Sequence, residues 1–176
     1  MAEKLDITAS IVLYNEDLNE LTKTVTCFLN IPLNKKLFLI DNTLNKQFKD
    51  IFNQKEVEYI AVGKNIGFGA GHNVVITKIK SLSKYHLILN PDVSFKPLVI
   101  PNLISQLESD KSLAMIAPKV LFPNGEHQNS CRRYPSVSEL LARRFTFLKP
   151  LFESEILKGI YSDKNLKQPF FAEYIT

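Results

Sequence analysis

Tyr85-His-Leu-Ile-Leu-Asn-Pro-Asp-Val93 is the stretch on which the reading of this chain turns. Leu87, Ile88 and Leu89 run straight into Asn90-Pro91-Asp92. A short apolar run closed by a turn signal reads as a strand buried on both faces, as in a parallel sheet. Pro91 has no amide hydrogen to offer a sheet ladder, so pairing is expected to stop there. That places the Asp92 carboxylate just past the carboxyl end of a central strand, the edge along which open α/β sheets bind ligands. A carboxylate in that place can hold a hard divalent cation shared with a diphosphate. It can equally be a turn aspartate that caps the next segment.

Working outward, the same alternation of strand and helix recurs. Ile7 to Tyr14 reads as the first strand, closing on Asn15-Glu16-Asp17. Leu18, Leu21, Val25, Phe28 and Leu29 follow at helical spacing, with Asn15 or Asp17 as cap. Leu37 to Ile40 is a second buried strand ending on Asp41-Asn42-Thr43, and a weak helix is expected from Lys46 to Phe52. Val57 to Val62 is a third strand, Gly63 to Gly71 a glycine-rich loop, and Val74, Val75, Ile76 and Ile79 lie on the helix after it. Leu98 to Leu107 reads as a helix, Leu113 to Ala117 as a fifth strand, and Pro123-Asn-Gly125 as a turn. A further helix is expected from Ser136 to about Phe147, and Phe170 to Ile175 reads as the start of another strand. The pattern predicts an α/β fold with a mostly parallel sheet and right-handed crossovers.

Composition narrows the class. The 176 residues suffice for an ordinary domain with a real core, and 45 % hydrophobic with 23 % charged is globular usage. Two cysteines, Cys27 and Cys131, supply neither a disulfide framework nor a zinc spacing. No apolar run approaches the roughly 20 residues needed to span a bilayer. A cytoplasmic protein, at most peripheral to the inner face of the membrane, is expected. The net charge of +4 is uneven: Arg132, Arg133, Arg143, Arg144 and Lys149 face only Glu139 in their stretch. Such a stretch is a solvated basic face, or it meets an anionic ligand or membrane surface. No nucleic-acid motif accompanies it.

Asp41 ends the second strand as Asp92 ends the fourth. Its carboxylate can accept a hydrogen bond from a base edge or a ribose hydroxyl, or close an Asx turn within Asp41-Asn-Thr43. The Gly67-Phe-Gly-Ala-Gly71 loop is not a dinucleotide fingerprint, because the third glycine of that pattern would fall at His72 and the loop follows the third strand. Its glycines allow either close backbone approach to a ligand at a helix start or a tight turn with close helix packing. His72 and Asn73 are expected in the first helical turn, with His72 in a capping or packing role. No serine or cysteine nucleophile signature is present.

Together these pieces resemble the family 2 glycosyltransferases, and within them the rhamnosyltransferase-like enzymes of bacterial surface-polysaccharide synthesis. The matching residues are Ser10-Ile-Val-Leu-Tyr-Asn15, Ile40-Asp-Asn-Thr43, Asn65-Ile-Gly-Phe-Gly-Ala-Gly-His-Asn73 and Leu87-Ile-Leu-Asn-Pro-Asp-Val93. Ala117-Pro-Lys119, Asn124-Gly125 and Ser130-Cys-Arg-Arg-Tyr-Pro-Ser136 extend the match.

The resemblance implies a GT-A fold. It implies that Tyr14 and Asn15 lie beside the nucleotide, that Asp41 contacts its base, and that Asn65, Gly67, Gly69 and Asn73 line the donor pocket. Asn90-Pro91-Asp92 takes the place of the family's Asp-x-Asp motif, with Asp92 holding Mg²⁺ or Mn²⁺ and Asn90 bonding a ribose or a water. Arg132 and Arg133 are assigned to the diphosphate or an anionic acceptor. The implied partners are a dTDP-, UDP- or GDP-linked sugar and a saccharide or lipid-linked acceptor, with inversion at the sugar. The family's general base lies in an acidic motif downstream of the matched region. The chain is therefore expected to comprise a nucleotide-sugar-binding domain over 1–149 and the truncated start of a catalytic portion over 150–176. A non-catalytic nucleotide-sugar-binding module is the alternative that follows. A nucleotidyltransferase would want a glycine-rich basic loop after the first strand, where Tyr14-Asn15-Glu16 stands.

Overall fold

The computed structural model describes residues 4–128, 130–132, 134, 137, 140, 144, 170, 174 and 175. The chain divides into two units, Met1–Ala114 and Met115–Thr176.

In the first unit the apolar runs form four strands, β1 (Leu5–Leu13), β2 (Lys35–Asp41), β3 (Val57–Ala61) and β4 (Ser83–Ile88). They pair in the order β3-β2-β1-β4, every pair parallel. Leu13 lies opposite Asp41, and Asp41 opposite Ala61. On the other side Ser10 lies opposite Ile88, and the Leu89 amide extends the pairing to the Ser10 carbonyl at 3.1 Å. All four carboxyl ends therefore share one edge. Because the chain moves outward from β1 to β2 to β3 and then returns to the other side for β4, the order reverses between β1 and β4. A reversal of that kind opens a crevice at the carboxyl edge.

Helices cover both faces. α1 (Leu18–Leu29) is capped by Asp17, whose Oδ1 accepts the amides of Asn19 at 2.9 Å and Glu20 at 3.0 Å. It buries Leu21, Thr24, Val25 and Phe28. With α4 (Val99–Ser109) it covers the face made by Ile7, Ala9, Ile11, Leu13, Leu37 and Leu39. α2 (Phe68–Asn73) and α3 (Ile76–Leu82) cover the opposite face over Val12, Phe38 and Ile40, with Val75 between them. Among the described residues thirteen buried apolar side chains lie in the first cluster and four in the second. At about 1.5–3 kcal/mol for each large side chain, hydrophobic stabilisation is concentrated on the α1/α4 face. The α2/α3 layer is held more thinly.

In the second unit Pro123-Asn-Gly125 makes the expected turn, with Gly125 at a φ of 87° and the Phe122 amide bonded to the Glu126 carbonyl at 2.8 Å. β5 (Cys131–Arg132) pairs antiparallel with β6 (Tyr174–Ile175). Of the helix expected from Ser136, the described Val137, Leu140 and Arg144 are helical and the rest lies outside the described residues. Among the described residues no helix is long and apolar enough to cross a membrane.

Several expectations need correction. Among the described residues β4, like β3, is an edge strand rather than a central one, and its residues are half-buried or exposed, with Ile88 at 59 %. An apolar run records burial tendency and not lateral position. Lys46 to Phe52 is a series of turns, because Lys46 and Asp50 adopt φ values of 52° and 65° that a helix excludes. Leu113 to Ala117 forms no strand. Only Leu113 and Ile116 are half-buried there, too little covered apolar surface to hold one in place. The glycine-rich segment is half helix, since α2 begins at Phe68. His72 and Asn73 consequently lie in the last turn of α2, not the first of a later helix.

Candidate active site at the carboxyl edge of the sheet

β1 delivers Tyr14 and Asn15 to the edge. Tyr14 is half exposed, and Asn15 adopts a φ of 58°, which turns the chain sharply away from the strand. A non-glycine residue in that region is uncommon and concentrates at functional sites. β2 delivers Asp41 and the loop behind it, and β3 delivers Lys64 and Asn65. A cavity of about 380 Å³ opens among these three loops, lined by Tyr14 and Asn15, by Asn42, Thr43, Leu44 and Asn45, and by Lys64 and Asn65.

Asp41 lies beneath this cavity and is fully buried. Its Oδ1 accepts the Thr43 amide at 2.8 Å and the Thr43 hydroxyl at 2.7 Å, and its Oδ2 accepts the Tyr59 hydroxyl at 2.5 Å. This is an Asx turn reinforced from the neighbouring strand, and it sets the path of Asn42 to Asn45. Burial raises the Tyr59 phenol above its ordinary pKa, and the bond to Asp41 raises it further.

Asn42 is 1 % exposed. Its Nδ2 donates to the Gly67 carbonyl at 3.3 Å, while its Oδ1 is buried with no donor among the described residues. The Gly67 amide in turn donates to Asn65 Oδ1 at 2.9 Å. Gly67 has a φ of 84°, which a side chain would strain, so glycine is required where the loop turns into α2. Gly71 is required for a different reason. A Cβ there would lie 2.6 Å from Val12 Cγ2, so α2 rests directly on β1.

Asn90 and Asp92 follow β4 and are exposed. Thr24 on α1 fixes their loop, its one hydroxyl proton shared between the carbonyls of Pro91 and Val93, each 2.8 Å away. Among the described residues no donor or cation engages the Asp92 carboxylate. No group of three His, Cys, Asp or Glu forms a metal cage there either. Gly69 and Asn73 lie on α2, away from the cavity lining. Arg132 lies on β5 in the second unit, and Arg133 is outside the described residues.

Thus Tyr14, Asn15 and Asn65 meet in one cavity, with Asp41 under it and Gly67 bracing it. Asn90 and Asp92 stand at the same sheet edge, past the adjoining strand. Sequence reasoning missed Thr24, Asn42, Tyr59 and Lys64. Thr24 was legible in principle, as a polar residue inside the apolar stripe of Leu21, Val25 and Phe28. The others acquire meaning only from their partners.

No curated protein matches the chain. The sequence profile of Glycosyl transferase family 2 matches residues 8–165, a span that holds the cavity, its braces and Asp92, and the chain belongs to that family of glycosyltransferases.

Proposed function

We propose that the cavity takes the nucleoside end of a nucleoside-diphosphate sugar, and that the sugar passes with inversion to a saccharide or lipid-linked acceptor. The observation that carries this reading is the Asn42 side chain. Its nitrogen is committed to Gly67, and its buried oxygen lacks a donor. An unpaired buried acceptor costs about 1–3 kcal/mol, so a ligand that brings an N–H to it is favoured. The N–H edge of a uracil, thymine or guanine base is such a group. Tyr14 offers a ring face at the rim for stacking, and Lys64 offers a cation to the diphosphate.

Asp92 suits Mg²⁺ or Mn²⁺. Its carboxylate is exposed and uncommitted, and a small hard cation needs only one or two carboxylates when phosphate oxygens complete its shell. When bound, the cation supplies Lewis-acid stabilisation of the departing diphosphate. The acceptor oxygen bonds to the anomeric carbon as the bond to the diphosphate oxygen breaks, and a general base takes the hydroxyl proton. The resemblance favours rhamnose as the sugar, Arg132 on the diphosphate or an anionic acceptor, and peripheral contact with the inner membrane face.

Calorimetric titration with dTDP, UDP and GDP, with and without Mn²⁺, tests this reading on the protein and on Asp92→Ala. One nucleotide binding with metal, and losing the metal dependence in Asp92→Ala, is expected. A folded protein that binds none of the three would overturn the assignment.

A further inference from the structure

The face of the sheet under α2 carries a run of polar groups in place of a full apolar layer. Ser83 Oγ donates to the Tyr85 carbonyl at 2.8 Å. A hydroxyl has one proton to give, so with Ser83 committed to that carbonyl the 2.9 Å bond between Ser83 and Thr8 is donated by Thr8, in preference to the longer 3.4 Å approach of Thr8 to the Tyr85 carbonyl. Thr8 then accepts from His86 Nδ1 at 2.9 Å. A neutral imidazole carries one N–H, which leaves His86 Nε2 bare to accept the Ser10 hydroxyl at 2.8 Å. Ser10 has now spent its proton, so His72 Nδ1–H donates to it at 2.6 Å. His72 Nε2 is left bare, buried and without a partner among the described residues. One anchor sets the direction of every bond. Protonating His72 adds a buried N–H at Nε2 with no acceptor among the described residues, and protonating His86 turns an N–H toward Ser10 and leaves the Ser10 proton without its acceptor.

This chain joins both sides of the proposed ligand site. His72 lies on α2, whose cap Gly67 is held by Asn42 and Asn65 of the cavity. His86 lies on β4, which runs into Asn90 and Asp92. We propose that Ser83–Thr8–His86–Ser10–His72 is a proton-polarised latch that seats α2 on the sheet, so that His72 and Ser10 position the Asn65–Gly67 side of the cavity and ligand binding there is lost in acid. The proposal rests on the cavity being the nucleotide site.

Burial holds the His72 imidazole below its ordinary pKa, and burial, then the His72 charge, brings His86 down to about 4. The charged side chains on the surrounding elements are Asp6 on β1, Lys35, Lys36 and Asp41 on β2, Lys78 and Lys80 on α3 and Lys84 on β4. Asp6 binds the Asn34 amide, Lys35 the carbonyls of Ile31 and Leu33, and Asp41 accepts from Thr43 and Tyr59, while Lys36 and Lys78 pair with Glu58 and Lys84 with Glu108. Lys80 is exposed, and α2 carries no charge besides His72. Burial is therefore the main obstacle to protonating either imidazole, and for His86 the neighbouring His72 adds to it.

The test uses the intact protein, Ser10→Ala and His72→Asn, the last keeping an N–H donor for Ser10 but not titrating. Amide hydrogen exchange in α2, without ligand, is compared at pH 7.5 and pH 5.5. Affinity for the nucleoside diphosphate that binds at pH 7.5 is measured over the same range. An imidazole with an ordinary pKa of about 6.5 when released, and a lowered one when closed, favours the open state by up to about tenfold at pH 5.5. The ratio of wild-type to His72→Asn affinity is expected to fall between pH 7.5 and pH 5.5, by at most that factor. The nucleotide's own phosphate titration is common to both proteins and cancels. α2 exchange should quicken in acid in the wild type, less in His72→Asn, and be fast at both pH values in Ser10→Ala. Equal exchange at both pH values in the wild type, or parallel affinity profiles for wild type and His72→Asn, overturns the latch. Absence of nucleotide binding at pH 7.5 alongside acid-quickened exchange refutes the nucleotide reading instead, because the exchange measurement needs no ligand.

Discussion

The hydroxyl of Thr24, in the middle of α1, lies 2.8 Å from the carbonyl oxygen of Pro91. It lies at the same distance from the carbonyl of Val93, so one buried side chain straddles the loop that carries Asp92. The loop after β4 is thus tied to the opposite layer of the fold.

Thr24→Val keeps the shape and removes the donor. The one proton shared between the Pro91 and Val93 carbonyls is then lost, at a cost of about 1–2 kcal/mol. A lower denaturant midpoint with unchanged slope is expected. If Asp92 holds the cation, the variant's nucleotide affinity falls with Mn²⁺ present and changes little without it.

Gly71→Ala drives a methyl into Val12, whose Cγ2 and Cγ1 would stand at 2.6 and 2.8 Å. Valine is stiff at χ1 and cannot swing aside. Overpacking of this kind costs about 1–3 kcal/mol, more than the helix propensity gained. Val12→Ala should relieve it, so the double variant measured by chemical denaturation is expected to lose less than the sum of the two singles.

Tyr59→Phe takes from the buried Asp41 carboxylate its partner on β3. A bond to a charged group contributes about 1.5–3 kcal/mol, and a loss of that size is expected. Tyr59 also gives an alkaline signature. Its folded-state pKa is raised, so the unfolded chain releases the proton first, and stability present below about pH 10 declines above it. Unfolding curves between pH 9 and pH 11 should be flatter in the variant.

Acid acts through His86. Its folded-state pKa of about 4 lies below the ordinary value of 6.5. The unfolded chain binds the proton first as pH falls, so stability present above pH 6.5 is lost progressively down to pH 4. The loss from this group is roughly 3 kcal/mol across that window. His86→Gln, which does not titrate, should have a shallower dependence when unfolding is followed at pH 7, 6, 5 and 4.5.

The strands and long helices were legible in the order of residues because their information is local. Runs such as Leu37 to Ile40 and the stripe of Leu21, Val25 and Phe28 declare period and burial without reference to anything distant. Positions at the ends of strands were legible for the same reason: Pro91 stops a ladder wherever the strand lies in the sheet. Lateral order was not, and among the described residues β4 came out as an edge strand because pairing partners are chosen across the whole unit. Hydrogen-bond direction was even less local. Asp41 could turn toward a ligand or close an Asx turn, and Tyr59, eighteen residues away, occupies its second oxygen. Ser10, His72 and His86 are unremarkable letters until β1, α2 and β4 meet. A hydroxyl or an imidazole has one proton to place, and only its neighbours in space determine where that proton goes.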